Sequence, residues 1–207
     1  MKPDSNALCD LYVARIPDAA PTGELWPPER ACEVAQTKNE RAKKEKYYVW
    51  RLLEHALAHS LGLCAQNLAF FKDENGKWGA NGVFFSLSHT AGAVAVAVSR
   101  TAVGVDIEQY RTPRTDRLAA RVLTARELAD FEKTPERDAF LLQKWVGKEA
   151  IFKKGDEKKF SPANIETTDA NVVTGTFDKD GVNCAFAVAT DTPEVVRIFK
   201  DVDLSAH

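Results

Sequence analysis

The chain has 207 residues, of which 44% are hydrophobic and 28% are charged. This length suits one large domain or two small, closely packed ones, and the composition excludes a disordered or collagen-like chain. The net charge of −2 argues against a general nucleic-acid-binding protein, so a site for anions must come from a local cluster of basic residues.

The four cysteines lie far apart and form no CxxC pair, which argues against a zinc site and against a disulfide framework. Residues 1–18 lack the uninterrupted apolar core of a signal peptide. No segment reaches the ~18 apolar residues that are needed to span a bilayer. We therefore expect a cytoplasmic protein.

The first half of the chain is predicted to form strands around one long helix. A strand is expected at 8–16, followed by a Pro-rich connection at 17–28 and a helix at about 37–63 that Gly62 ends as a C-terminal cap. The apolar face of that helix recurs at steps of three and four residues and consists of Val49, Leu52, Leu53, Ala56, Leu57 and Leu61. Asn75-Gly76 predicts a hairpin turn between 68–72 and 77–78, and further strands are expected at 83–87, 93–98 and 102–107.

The second half is predicted to contain helices followed by strands. Helices are expected at 124–133 and 135–154, and strands at 172–177, 184–189 and 195–199. This alternation favours an α+β fold of two similar subdomains, each a small sheet packed against a long helix, that meet near residue 102. We assign residues 1–102 to an N-terminal subdomain and residues 103–207 to a C-terminal one.

The segment 104–108, with the sequence GVDIE, is the first of three candidate functional clusters. In an extended strand Asp106 and Glu108 point to the same side, while Val105 and Ile107 face the core. A hard cation such as Mg²⁺, which prefers oxygen ligands, suits such a carboxylate pair. The alternative is a strand whose polar face is simply hydrated.

The second cluster is WVGKEAIFK at 145–153. On a helix, Trp145, Glu149 and Lys153 share one face, and Lys148 lies on the adjoining row. A third carboxylate beside two lysines suits a metal-bound phosphate ester. The alternative is an ordinary i,i+4 ion pair between Glu149 and Lys153 on a surface helix.

The third cluster is FFSLSHT at 84–90, an apolar strand that ends in hydroxyl groups and an imidazole. Ser88, His89 and nearby backbone N–H groups could hold phosphate oxygens at the end of the strand. A serine nucleophile paired with His89 is less favoured because the chain has no GxSxG motif here. The alternative is a structural histidine.

In this order, the three clusters resemble the motifs of the Sfp-type 4′-phosphopantetheinyl transferases, and the similarity covers roughly residues 40–160. The resemblance implies a pseudo-dimer of two related α+β halves, of which the first contacts the coenzyme A phosphates. The second would carry the metal-binding carboxylates and the catalytic helix. The sequence departs from the family pattern at three positions, which are Ser86 in place of asparagine, Thr90 in place of serine and Trp78 in place of proline.

The resemblance also implies roles for individual residues. The Mg²⁺ ligands would be Asp106, Glu108 and Glu149. The groups that contact coenzyme A would be Lys77, Ser88, His89, Lys148 and Lys153, together with Arg41 and Lys44 for the 3′-phosphate. Glu127 would assist proton transfer, but Thr124-x-x-Glu127 is also a capping box, in which the glutamate bonds to the helix start. Both interpretations of Glu127 stay open.

The implied reaction is attack by a serine of an apo acyl or peptidyl carrier protein on the β-phosphate of coenzyme A, with release of adenosine 3′,5′-bisphosphate. Glu149 is the preferred acceptor of the serine proton, and Lys153 offsets the growing charge. Basic side chains that could meet an acidic carrier are Arg111, Arg114, Arg117, Arg121 and Arg126. The alternatives are a non-catalytic homologue that binds coenzyme A or carrier proteins and a Mg²⁺-dependent phosphoesterase. A monomer is expected, since two halves can form one site.

Overall fold

The structure is a computed structural model that describes residues 9–110, 116–155, 159–200 and 202–205. The helices within these ranges are α1 (Pro28–Ala35), α2 (Glu40–Leu61), α3 (Asp116–Val122), α4 (Ala125–Phe131) and α5 (Arg137–Lys154). The strands are β1 (Cys9–Arg15), β2 (Phe70–Lys72), β3 (Trp78–Ala80), β4 (Phe84–Thr90), β5 (Ala93–Ser99), β6 (Gly104–Gln109), β7 (Val172–Lys179), β8 (Val182–Ala189) and β9 (Val196–Phe199).

The larger sheet has four strands in the order β4-β5-β1-β9. Strand β5 is antiparallel to both β4 and β1, whereas β9 runs parallel to β1 and places Val196 opposite Cys9. A two-point ion pair ties β9 to β1, because Arg197 donates from Nε and Nη2 to the buried carboxylate of Asp10 at 2.7 and 2.6 Å. Strand β9 therefore completes a sheet whose other strands all lie before residue 100. The boundary at residue 102 stays a prediction.

Helix α2 packs against one face of the larger sheet. Of its predicted apolar positions, Val49, Leu52, Leu53, Ala56 and Leu57 are buried and share a core with alternate residues of β1 and β5. Leu61, the last predicted position, is only partly buried against that core, because it lies at the end of the helix. The helix begins after Asn39, whose side chain accepts a hydrogen bond from the Ala42 N–H. It ends at Gly62, which adopts a left-handed conformation with φ of 65°, as the sequence predicted.

The second half has a three-stranded antiparallel sheet in the order β6-β8-β7, and α5 packs against it. Small residues let the helix approach, since Val146 and Ala150 lie on alternate alanines of β8. At Gly104 the approach is closest: a Cβ there would lie 2.0 Å from the carbonyl oxygen of Ala150 and 2.5 Å from the Lys154 nitrogen. Glycine is therefore required at the start of β6.

The two sheets share a second core, formed by the face of the larger sheet that turns away from α2. Leu11, Val13 and Ala95 of the larger sheet pack there with Ile107 and Phe186 of the smaller one. Each half is thus a small sheet packed against a long helix, and the predicted α+β fold class is confirmed. Within the described ranges, every helix is too short or too polar to cross a membrane.

Candidate active site

Strand β6 carries two carboxylates on the side that faces the hydroxyl groups of β4. Asp106 is 5% exposed and accepts a hydrogen bond of 2.7 Å from Ser88 Oγ through its Oδ1 atom. Glu108 is half-buried and accepts one of 3.1 Å from Thr90 Oγ1. The alternate residues Val105 and Ile107 are buried in the core between the sheets. The period of two that the sequence shows therefore orients both carboxylates toward β4.

Helix α5 brings Glu149 and Lys153 to this strand. The ammonium of Lys153 lies 2.6 Å from Asp106 Oδ1 and 3.2 Å from Ser88 Oγ. The pKa of Glu149 is raised above its usual value, first by burial and then by the negative charges of Asp106 and Glu108, with Lys153 opposing them. The three carboxylates predicted to share a site are thus close enough for the charges of Asp106 and Glu108 to act on Glu149.

The chemistry of this donor set fits a hard divalent cation, although its present spacing does not. Burial and the neighbouring charges of Asp106 and Glu108 raise the pKa of Glu149, so a cation here would offset their mutual repulsion. Carboxylate oxygens are also the ligands that Mg²⁺ prefers. Among the described residues, however, no three His, Cys, Asp or Glu side chains are placed to hold a metal ion. The Lys153 ammonium is the cation beside Asp106, so a metal would require Lys153 to leave Oδ1.

His89 extends from β4 toward the start of α2, and its side chain is 39% exposed. Its Nδ1 atom lies 3.2 Å from Glu45 Oε2, and Glu45 also accepts a hydrogen bond of 2.7 Å from Arg41 Nε. The structure therefore brings Arg41 and His89, both predicted to bind coenzyme A, to one buried carboxylate. Lys44, the other predicted residue of α2, donates instead to the backbone carbonyl of Asp18 at 2.5 Å.

Several cations surround His89. Burial is the main cause that lowers the pKa of its imidazole, and the charges of Lys153, Arg30 and Lys46 lower it further, against the opposing effect of Glu45. A neutral imidazole among three cations can donate a hydrogen bond to a phosphate oxygen while those cations attract the anion.

Arg30 and Lys46 were not predicted as site residues. Both pair with Glu33, at 3.2 and 3.4 Å, and so does Lys72 of the hairpin, at 3.0 Å. Burial raises the pKa of Glu33, but the hydrogen bond from Lys72 and the charge of Arg30 outweigh it and bring that pKa to about 2. The i,i+3 spacing of Arg30 and Glu33 was readable in the sequence, whereas the contributions of Lys46 and Lys72 depend on the tertiary fold.

Lys77, a predicted phosphate-binding residue, lies at the end of the turn between β2 and β3. Its Nζ donates a hydrogen bond of 2.6 Å to the backbone carbonyl of Lys153. The exposed Lys77 side chain therefore reaches the last turn of α5, next to the residue whose own ammonium contacts Asp106. This contact joins a hairpin of the first half to the helix of the second.

Lys148 and Glu127 form an ion pair with each other and do not join the carboxylates of β6. Both side chains are 0% exposed, and Lys148 Nζ lies 2.5 Å from Glu127 Oε2 and also donates to the Ile165 carbonyl. Glu127 accepts further hydrogen bonds from the Thr167 hydroxyl at 2.6 Å and from the Thr124 N–H at 3.0 Å. Coenzyme A therefore has no direct access to Lys148 in this conformation.

The predicted capping box of α4 is confirmed, since the Thr124 side chain and the Glu127 side chain both make their reciprocal bonds. Burial raises the pKa of Glu127, but the hydrogen bonds from Lys148 and Thr167 outweigh it, so the pKa lies below its usual value. This environment favours the deprotonated, charged form of the Glu127 carboxyl group. A role for Glu127 in proton transfer stays a prediction.

The basic residues proposed to meet a carrier protein fall in and around α3. Arg117, Arg121 and Arg126 are exposed, and Arg126 pairs with Asp169 at 2.8 Å. Arg111 and Arg114 lie outside the described residues.

No curated protein sequence matches the chain. Residues 102–190 match the family model of the 4′-phosphopantetheinyl transferase superfamily. The matched span contains β6 and α5, and with them the carboxylates of Asp106, Glu108 and Glu149. The similarity of this segment to that superfamily supports transfer of phosphopantetheine as its general chemistry.

Proposed function

We propose that the chain transfers the 4′-phosphopantetheine group of coenzyme A to a serine of an apo acyl or peptidyl carrier protein, with Mg²⁺ and with release of adenosine 3′,5′-bisphosphate. One observation carries the proposal. One group of side chains contains two acidic residues of β6, an acidic and a basic residue of α5, and the Ser-His end of β4. Its β6 and α5 residues lie in the segment that matches the transferase superfamily.

The distribution of charge suggests how coenzyme A would bind. Lys77 contacts the backbone carbonyl of Lys153 at the end of α5, and the two ammonium groups would attract the diphosphate. His89 lies among Arg30, Lys46 and Glu45, and this group would receive the 3′-phosphate. We therefore favour Arg41, which is held beside His89 by Glu45, over Lys44, which bonds to the Asp18 carbonyl.

In the proposed reaction, the carrier serine Oγ forms a bond to the β-phosphorus as the bridging oxygen to the α-phosphate leaves. Glu149 would accept the serine proton, directly or through a metal-bound water, because α5 places it beside Asp106 and Lys153. Lys153 would offset the charge that grows on the leaving phosphate. A Mg²⁺ ion held by Asp106, Glu108 and Glu149 would supply further positive charge to the diphosphate oxygens.

The test is to incubate the protein with coenzyme A, Mg²⁺ and a panel of apo carriers and to follow carrier mass. We expect a gain of one phosphopantetheine, which Asp106→Ala abolishes. Lys153→Met should lose most of the rate, while its neighbour Lys154→Met, which removes an ion pair with the exposed Asp191, should keep it. Binding of coenzyme A without any carrier gaining mass would favour the non-catalytic alternative. Hydrolysis of coenzyme A without a carrier would favour the phosphoesterase.

A further inference from the structure

Three hydroxyl groups at alternate positions of β4 join the larger sheet to the smaller one. Ser86, Ser88 and Thr90 are all buried, and each accepts a hydrogen bond from a backbone N–H of β6. The donors are, in the same order, the N–H groups of Val105 at 3.0 Å, Ile107 at 3.3 Å and Gln109 at 3.3 Å. Each hydroxyl oxygen thus accepts a backbone N–H hydrogen bond that a carbonyl oxygen would accept within one sheet, although β4 and β6 belong to separate sheets.

Two of these hydroxyl groups make a second contact that the third does not share. Each serine or threonine hydroxyl has one proton to donate, and Ser88 and Thr90 donate theirs to Asp106 and Glu108 at 2.7 and 3.1 Å. The residue of β6 at the equivalent register opposite Ser86 is Gly104, which has no side chain to accept it. Among the described residues, β4 therefore has two hydroxyl groups that bind carboxylates and a matched one, that of Ser86, that bonds only to the backbone.

We propose that Ser88 and Thr90 are positioning residues, which fix the directions of the Asp106 and Glu108 carboxylates so that both can bind a divalent cation once Lys153 has left Asp106. The proposal rests on the function proposed above. Two like charges on one strand face repel each other and would otherwise rotate apart. A neutral hydroxyl fixes the direction of a carboxylate without neutralising it, so its negative charge remains for the cation.

Thr90 gives the sharper test of the two. Ser88 is also 3.2 Å from the Lys153 ammonium and is predicted to contact coenzyme A, so its loss would have several effects. Thr90 contacts Glu108 and the Gln109 N–H, and its β-branched side chain is restricted in χ1, which holds the hydroxyl toward Glu108. Removing partners that orient metal ligands weakens metal binding by ~10–100-fold.

The experiment compares Thr90→Val, Thr90→Ser and Ser86→Ala with the wild-type protein. Calorimetry measures the affinity for Mn²⁺ in the presence of coenzyme A, and thermal unfolding measures Tm. The transfer assay gives the Mg²⁺ concentration at which the rate is half of its maximum. Thr90→Val and Ser86→Ala each lose one hydrogen bond to a β6 N–H, so both should have a lower Tm than the wild type, and Thr90→Val also loses the hydrogen bond to Glu108. Only Thr90→Val should weaken Mn²⁺ binding, by ~10–100-fold, and Thr90→Ser should restore it.

Equal Mn²⁺ affinity in Thr90→Val and Ser86→Ala would overturn the proposal, as would an absence of Mn²⁺ binding by the wild type. If Thr90→Val does not fold, Thr90→Ala is compared with Ser86→Ala in the same way. The proposed function can fail separately. If no carrier is modified but the Mn²⁺ difference is found, the positioning role stands and the transfer reaction does not. If transfer occurs and its Mg²⁺ dependence is the same in all variants, the positioning role is wrong and the reaction stands.

Discussion

Replacing Lys148 by methionine tests whether this lysine acts on coenzyme A or holds the second half together. Lys148 and Glu127 are both 0% exposed and 2.5 Å apart, so methionine would leave a buried carboxylate without its main counter-charge. Breaking a buried ion pair on one side costs about 3–5 kcal/mol. Glu127 keeps hydrogen bonds from Thr167 and Thr124, so we expect the lower end of that range.

For a chain of this length, a loss of about 3 kcal/mol corresponds to a decrease in Tm of about 6–12 °C. Thermal unfolding followed by circular dichroism measures it directly. Lys154→Met is the matched control, because it makes the same substitution on the same helix in a pair whose partner Asp191 is 58% exposed. An exposed pair contributes about 0–1 kcal/mol, so the control should change Tm by less than about 4 °C.

The transfer assay then separates the two roles of Lys148. At a temperature well below both Tm values, Lys148→Met should keep a KM for coenzyme A close to that of the wild type, because the buried ammonium does not reach the substrate. A Tm equal to that of the control, together with a large increase in KM, would refute this reasoning. That result would instead support direct binding of coenzyme A by Lys148, as the family resemblance implies.

Three further predictions concern other parts of the fold. Glu149→Gln should raise the Tm of the metal-free protein by a few degrees and abolish transfer, because it removes a half-buried carboxylate that Asp106 and Glu108 repel. A lower Tm would show that this repulsion does not destabilise the protein. Gly104→Ala should lower the free energy of unfolding by about 3 kcal/mol or more, because its Cβ would overlap the backbone of α5. Gly181→Ala, at a position with φ of 78° and open space around it, should lower it by about 1–2 kcal/mol. Similar losses in the two variants would contradict the close approach of α5 to Gly104. The pKa of Glu33 is about 2, below its value in an unfolded chain, so its stabilising effect is present at neutral pH and is lost as the pH falls from about 4.3 toward 2. The difference in Tm between the wild type and Glu33→Gln should therefore shrink between pH 5 and pH 3. A constant difference would exclude a lowered pKa of Glu33.

The local signals in the sequence were sufficient for most elements and for part of the site. The apolar face of α2, its Gly62 cap and the Thr124 capping box follow from residues a few positions apart, and the structure contains all of them. The alternation of Asp106 and Glu108 likewise predicted that both point to one side. These features could be predicted because each depends on a single helix or strand.

The remaining features depend on segments that are distant along the chain. Helix α1 was not predicted, because it is short and follows a Pro-rich segment. The burial of Lys148 requires α4 and the segment around Ile165 to cover it, and no pattern within α5 indicates this. Ser86 and Thr90 were noted as departures from a family pattern, but their pairing with β6 depends on how two sheets meet.

The position of β9 has a consequence for protein synthesis. Strand β9 lies about 180 residues after β1 and is translated later. The edge of β1 therefore stays open until residues 196–199 have been synthesised. During that time Asp10 lacks Arg197, and a charged residue at an open edge discourages pairing with other nascent chains. A chain that stops before residue 196 cannot cover this edge of β1 and leaves Asp10 without Arg197.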